Sequence, residues 1–391
     1  MAIIVGDLHL GSGQKNGKPG IGSTLNSRIE DQFNLLDWIL EKTINECIDN
    51  IIITGDAFDD PKPPPFLITL FVSWLKRCQS HNINVHIIAG NHDILRSGSI
   101  MSSPLDIISE IDLNNVSVYK QINTIIIGTT AFTLVPFCDR KSYRCSSNSS
   151  AMELLKNSLI YELASIPVTY KKILVGHLAI EGSIPVGNEL DDITNELFCP
   201  IDLFNGYDFV WMGHIHKPQV MNKKPFVAHI GSLDISNFGE TDQKKHIVIV
   251  NNDNFINEFL PTRPLRKISI TIPEDIKDTT NYVVQEIKKL DIDFNKSIVK
   301  VEVSLSSSET VSINKATIEK YLNSRGAFNV ANISESKKVN LIKKESNILD
   351  TKMDVLSAIK IYSSNLKEEK RADFVDLAID IYNFYKVESK E

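Results

Sequence analysis

The stretch whose reading decides the fold is Ile3-Ile4-Val5-Gly6-Asp7-Leu8-His9. Three apolar residues run into a glycine, then a carboxylate and an imidazole two positions apart. The apolar run reads as a strand covered on both faces. Along an extended segment Asp7 and His9 point the same way. The glycine lets the chain turn and brings backbone close to whatever those side chains face.

The pattern recurs four times. Ile51–Thr54 runs into Gly55-Asp56, and Val85–Ala89 into Gly90-Asn91-His92-Asp93. Ile173–Val175 runs into Gly176-His177, and Phe209–Met212 into Gly213-His214-Ile215-His216. Five of the nine histidines fall in these motifs. Sites in open α/β sheets form beyond the carboxyl ends of strands, so the five motifs are expected to converge on one crevice. Further strand-like runs lie at Ile125–Ile127, Phe226–Ile230 and Ile247–Val250. They alternate with helical patterns, which argues an α/β domain. Phe33, Leu36, Ile39, Leu40 and Ile44 predict a helix with one apolar face. The prolines from Pro61 to Pro65 hand over to a helix at Phe66–Cys78 that is apolar nearly all round. Such a helix is either a core element or one that also meets a partner subunit.

Texture changes at Pro261 to Pro264. The pattern then reads strand Lys267–Ile272, helix Asn281–Leu290, strand Ile298–Leu305, helix Lys315–Ser324 and strand Phe328–Ile333. We read residues 1–262 as the main domain, 263–334 as a small α/β cap, 335–350 as a basic linker and 351–391 as a helical segment. Two short helices bury little by themselves, so the last segment is expected to dock on the body or on a partner.

The 391 residues carry 42 Lys+Arg and 49 Asp+Glu, a net charge of −7. That excludes a uniformly basic nucleic-acid binder and requires any attraction to nucleic acid to be local. Residues 1–260 hold 20 basic and 29 acidic groups, whereas the remainder holds 22 and 20. The five cysteines show no paired spacing, which fits a reducing compartment. Charged Asp7 follows the apolar start at once, so no signal peptide is expected, and the longest apolar run is too short for a membrane helix. The expectation is a soluble cytoplasmic protein.

Asp7, His9, Asp56, Asn91, His177, His214 and His216 are enough ligands for two ions with one carboxylate shared. Oxygen and imidazole donors without thiolate suit manganese or iron(II) rather than structural zinc. Two such ions close together form a device for phosphoester hydrolysis.

All five motifs, in order, resemble the calcineurin-like metallophosphoesterase superfamily. The resemblance implies a four-layer α/β/β/α sandwich. It assigns Asp7, His9 and His216 to one metal and Asn91, His177 and His214 to the other, with Asp56 bridging. It leaves His92 to face substrate as a general acid, with Asp93 holding its imidazole. Several segments are similar to the SbcD-type nucleases of DNA double-strand-break processing: Asp7-Leu8-His9-Leu10-Gly11, Arg28-Ile29-Glu30-Asp31, Gly55-Asp56-Ala57-Phe58-Asp59, Gly213 through Gln219, and Gly231-Ser232-Leu233 through Phe238-Gly239-Glu240. The long loop Ser12 to Thr24, and Asp59 where some members carry histidine, depart from that pattern. That resemblance implies a Mn²⁺-dependent exo- and endonuclease holding two Mn²⁺, with Mg²⁺ or Fe²⁺ as alternatives, in DNA recombination, repair or replication. It also implies an SbcC-like coiled-coil ATPase partner bound through 351–391, a homodimer through the 66–78 helix, and a bacterial or phage-infected host cytoplasm. A phosphatase or cyclic phosphodiesterase of the same fold is the alternative.

For DNA contact we single out Arg140, Lys141 and Arg144, interleaved with an aromatic, and Lys217, Lys223 and Lys224. Lys244, Lys245 and His246, then Arg263, Arg266 and Lys267, and the linker lysines Lys337, Lys338, Lys343 and Lys344 complete the set. Such contacts would be sequence-independent and salt-sensitive.

Overall fold

Two six-stranded sheets lie face to face. In the computed structural model the described residues are 1–18, 25–97, 100–186, 195–251, 254–274, 276–305 and 312–337. The first sheet runs in the order Asn254–Phe259, His246–Asn251, Ala2–Val5, Asn50–Ile53, Asn84–Ile88, Val116–Tyr119. From Ala2–Val5 to Val116–Tyr119 all neighbours are parallel. The second runs Gln219–Lys223, Phe226–His229, Phe209–Met212, Lys171–Gly176, Thr130–Val135, Asn123–Ile127. Its four central strands are parallel as well.

Strand periodicity explains the layering. Ile3, Val5, Ile51 and Ile53 face an outer core, while Ala2, Ile4 and Ile52 on the same strands face the space between the sheets. There they meet Ile173, Val175 and Trp211 of the second sheet. The outer core of the first sheet is filled by α1 (Ser27–Asn45), α2 (Pro65–Ser80) and α3 (Pro104–Glu110). The outer face of the second sheet is covered by α4 (Asn148–Ser165), through Ala151, Leu155 and Leu159. The result is a four-layer α/β/β/α sandwich. Strands apolar on both faces occur here because both faces are covered.

Helix α2 starts with proline at its first position and buries Leu67, Phe71, Trp74, Leu75 and Cys78. Phe66 remains 44% exposed. The sequence pattern did not disclose α4. Its buried residues recur every four positions, but Leu154, Ile160 and Tyr161 are exposed, so its apolar residues encircle the helix and blur its face. The edge strands Gln219–Lys223, Asn254–Phe259 and Val116–Tyr119 and the central strand Thr130–Val135 were also missed. Each edge strand has only one neighbour and mixes half-exposed with exposed residues without strict alternation, a weak signal.

Residues 265–337 contain a parallel three-stranded sheet, Leu265–Ile272, Ile298–Leu305 and Asn329–Lys337. Helices α5 (Thr279–Lys289) and α6 (Lys315–Ser324) pack on it through Val283, Ile287, Ile318 and Leu322. This small unit is tied to the sandwich by charge. Arg263 sets two nitrogens on the Asp31 carboxylate, at 2.8 and 2.6 Å, and lies 4.0 Å over the Phe328 ring. Asp31 also accepts from buried Arg28 at 2.6 Å, and the other arm of Arg28 holds Asp234 and the Ile235 carbonyl. Lys18 and Asn16 reach the chain at Phe328 and Asn329. Arg263, singled out for DNA contact, is thereby engaged within the protein itself. The third strand runs on to Lys337, three residues into the stretch expected to be linker, because Glu335 to Lys337 continue the ladder with Val303 to Leu305; the rest of 335–350 and the 351–391 segment lie outside the described residues. Among the described residues no helix is long and apolar enough to cross a membrane.

Arg28 is 1% exposed, and breaking a buried pair leaves an uncompensated charge. Arg28→Ala strips Asp234 of its paired cation. Denaturant unfolding of this variant is expected to show a loss of about 3–5 kcal/mol. A loss of only about 0–1 kcal/mol, the scale of a surface pair, would contradict the account.

Candidate metal centre

The five motif loops meet at the carboxyl ends of the parallel strands. Asp7 follows Ala2–Val5, and Asp56 follows the adjacent strand Asn50–Ile53. His177 and His214 follow neighbouring strands of the other sheet. Both carboxylates are buried, Asp7 at 0% and Asp56 at 1% exposure. The Asp7 carboxylate accepts from Thr54 Oγ1 at 2.8 Å and from the His214 amide at 2.6 Å. Asp56 Oδ1 accepts from the His92 amide at 2.8 Å, while Oδ2 lies 3.3 Å from His9 Nε2 and 3.2 Å from His177 Nε2. Asn91 Oδ1 sits 2.9 Å from His177 Nε2 and 3.0 Å from His214 Nδ1. His216 Nε2 faces His9 Nε2 at 2.8 Å. All seven residues singled out as ligands are therefore brought to one place.

This packing carries backbone strain where the ligands sit. His9, Asp56 and His214 adopt left-handed backbone angles, with φ of 42°, 46° and 76°. That region is unfavourable for side-chain-bearing residues and persists only when the surroundings over-determine it. Glycines make the approach possible. A methyl group on Gly90 would collide with the Asp56 carboxylate and amide, and one on Gly213 with the Asp7 carboxylate.

The donors fit divalent cations. Nitrogen and oxygen atoms of Asp7, His9 and His216, of His9, Asp56 and His92, and of Asp7, Asp56 and His177 form three overlapping groups. Within each group they lie within 4.8 Å of one another. They face each other rather than separate partners, as the two inward nitrogens of His9 and His216 show. No thiolate is among them, which suits octahedral oxygen- and nitrogen-binding metals. The electrostatics point the same way. Burial works against charge on His9, but Asp59, Asp56 and Asp7 outweigh it and hold the imidazole up at about 9. Burial likewise opposes charge on His177, yet Asp56 and Asp7 raise it well above the ordinary range. Protons on these imidazoles thus balance the two buried carboxylates where cations otherwise would. Burial, then the His9 charge, push His216 well below the ordinary range.

His92 lines a crevice of about 180 Å³ with His9, Asp59, His216 and Asn237. Its Nδ1 lies 2.8 Å from the Asp59 carbonyl oxygen, which leaves Nε2 as the other ring nitrogen. The expectation that Asp93 holds this ring is corrected. The Asp93 carboxylate accepts from the amides of Gly90 and Ala57 at 3.0 and 3.2 Å and from Phe58 at 3.4 Å, so it ties two motif loops together. Burial, with the Asp56 charge, pushes it up to about 7. Lys245, singled out for DNA contact, is buried. It pairs with Glu240 at 2.8 Å and donates to the His216 carbonyl at 2.8 Å. Arg140 holds Asn195 Oδ1 at 2.6 Å, Arg266 donates to the Asp293 carbonyl at 3.3 Å, and Lys267 pairs with Glu302 at 3.0 Å. Lys141 and Arg144 are exposed, and half-buried Lys217 follows His216.

Sequence reasoning gave no role beside a ligand to three carboxylates that stand behind the imidazoles: Asp59 behind His9, Glu196 behind His214 and Glu240 behind His216. Only their tertiary position marks them. A larger cavity, about 840 Å³, is lined by Ile122, Phe137, Tyr143, Leu154 and Tyr161. It adjoins the centre through Phe137, whose ring lies against His177 and His214, but holds none of the proposed ligands.

Two stacked sheets with carboxylates and imidazoles at their strand ends define a metallophosphoesterase. Residues 2–218 match the calcineurin-like phosphoesterase family, and the chain belongs to it as a metal-dependent phosphoesterase. Among its relatives is the SbcD component of the nuclease SbcCD of Staphylococcus saprophyticus. The two are 29% identical over 293 residues, 69% of this chain and 76% of that protein. The SbcD component of the Escherichia coli nuclease SbcCD is 23% identical over 248 residues, 58% of this chain and 61% of that protein, so under two thirds of that relative is matched. A solved dimetal phosphatase from Danio rerio is similar at 10% identity and a TM-score of 0.41, covering 66% of this chain and 95% of that one.

Gly90→Ala is expected to lose dication binding in a calorimetric titration. Gly128→Ala, whose added methyl meets nothing within 4 Å, is expected to keep it, at only the local cost of an alanine at a left-handed φ of 62°. Equal binding by the two variants would contradict the close-approach argument.

Proposed function

We propose that the protein is a metal-dependent DNA nuclease that hydrolyses phosphodiester bonds at a two-metal centre. One ion is held by Asp7, His9 and His216, the other by Asn91, His177 and His214, and Asp56 serves both. The convergence of these seven residues on one buried cluster carries the reading. The similarity to the SbcD components of SbcCD nucleases directs it to nucleic acid, and the resemblance of its motif segments to nucleases of double-strand-break processing narrows that to DNA.

When bound, two dications, Mn²⁺ in our reading, polarise the phosphate and activate water. The chain's own residues do the rest. Asp7 is held by Thr54 and by the His214 amide, so its oxygens are oriented before any substrate arrives. His92, anchored through Nδ1 at the Asp59 carbonyl, has Nε2 to give a proton to the leaving oxygen. Exposed Lys141 and Arg144, with Lys217 beside the last motif, supply phosphate contacts without base specificity.

The wider assembly follows from the same reading. Residues 1–262 form the nuclease domain, 263–337 a cap over the crevice, and the residues from 338 to 350 a basic linker. The 351–391 segment docks on an SbcC-like coiled-coil ATPase. Helix α2, with Phe66 exposed, joins two copies. The complex works in DNA recombination, repair or replication in a bacterial or phage-infected cytoplasm.

Linear duplex DNA with Mn²⁺ tests the proposal, with and without a co-purified ATPase. Wild type is expected to cleave, and chelation to stop it. His92→Ala is expected to fall roughly 10²–10⁴-fold, the scale of general acid–base help, while keeping metal. No cleavage in either arm, with turnover of nucleotides or phosphopeptides instead, would replace the nuclease with a phosphatase.

A further inference from the structure

His214 differs from the other three imidazoles in which nitrogen it turns inward. His9, His177 and His216 present Nε2 to the cluster. His214 presents Nδ1, 3.0 Å from Asn91 Oδ1. Its Nε2 lies instead 3.0 Å from Glu196 Oε1. Both side chains are buried, with Glu196 5% and His214 3% exposed. Burying a carboxylate is costly unless a hydrogen-bond donor or a cation meets it. Among the described residues Glu196 Oε1 reaches no other aligned donor, and its contact with His214 falls short of full hydrogen-bond alignment.

The chain around Glu196 is pinned from outside. Arg140 donates from its backbone amide to the Asn195 carbonyl at 3.1 Å and from its guanidinium to Asn195 Oδ1 at 2.6 Å. Asn148 donates to the Glu196 carbonyl at 3.1 Å. Three side-chain and backbone bonds therefore fix the backbone that aims this carboxylate, and none of them uses the carboxylate itself.

An imidazole that gives one nitrogen's lone pair to a cation carries its proton on the other, and a carboxylate there sets ring orientation and ligand basicity. We propose that Glu196 is a positioning residue of the metal centre. Its carboxylate takes the Nε2–H of His214 and commits that ring to offer Nδ1 to the cation held with Asn91 and His177. The proposal rests on the two-metal reading above. It gives the Arg140 loop a part in the centre, as the brace of Glu196.

The experiment is Mn²⁺ titration calorimetry on the full chain, as wild type, Glu196→Gln and Glu196→Ala, with Co²⁺ absorption spectra and circular dichroism of each. Wild type is expected to bind two dications. Glu196→Ala is expected to weaken one site by roughly 10- to 100-fold, leave the other unchanged, and alter the Co²⁺ spectrum. Glu196→Gln keeps the volume and an acceptor oxygen without the charge. It is expected to lose less affinity at the same site, and it carries the test should the alanine variant unfold. Wild-type affinity at both sites with an unaltered Co²⁺ spectrum, in either folded variant, would overturn the role of Glu196 alone. A wild type that binds no dication would overturn the two-metal reading and this proposal together.

Discussion

Two buried carboxylates on adjacent parallel strands set the terms for everything else in this molecule. Asp7 and Asp56 follow neighbouring strands with no solvent to screen them; burial opposes charge on both and the Asp56 charge opposes that of Asp7, yet the imidazoles, His177 foremost, hold both carboxyls below the ordinary range. Like charges that close in a poorly polarisable interior repel by several kcal/mol. Only cations can relieve this, and the chain brings imidazoles from three other strand ends to the same point. Protonated His9 and His177 offset the charge in the bare chain, and bound dications serve better because they bring two charges each.

The sandwich exists in a form that permits this meeting. Its parallel strands end together, so loops from both sheets open at one end. Sheet interiors apolar on both faces leave no polar partner for the carboxylates except one another's loops. The strained left-handed residues His9, Asp56 and His214 mark where the backbone bends to turn side chains inward. Their cost is met by packing elsewhere, the usual arrangement where a site must be preorganised.

A second charge network organises the outer parts. Arg28 and Arg263 share Asp31, and Arg28 also holds Asp234. Asp234 lies two residues from Ser232, whose amide bonds the His216 carbonyl. Nearby, the buried pair Lys245 and Glu240 fixes the same carbonyl. The unit at 265–337 is therefore anchored to helix α1 and, through Arg28, to the loop that carries this support. The residues that looked like a phosphate-binding set by charge alone are divided between these structural ties and the open surface. Lysine and arginine look alike in a sequence whether solvated or spent in the interior.

How far the sequence reaches is clear from particular residues. Apolar runs ending in glycine and a ligand-type residue disclosed five of the parallel strands and all seven members of the cluster, but not the central strand Thr130–Val135, which runs into Pro136 instead. Strand period and strand-end chemistry are local, and local pattern is what a sequence carries. The tertiary structure alone decided which imidazole nitrogen faces inward, that Asp93 serves the backbone and not His92, and that Glu196, Asp59 and Glu240 stand behind ligands. Helix α4 belongs here too, since its face was set by the sheet it covers. Those outcomes depend on distances between residues tens or hundreds of positions apart. The sequence by itself determined which groups would be available for the centre, and only the fold determined what each one touches.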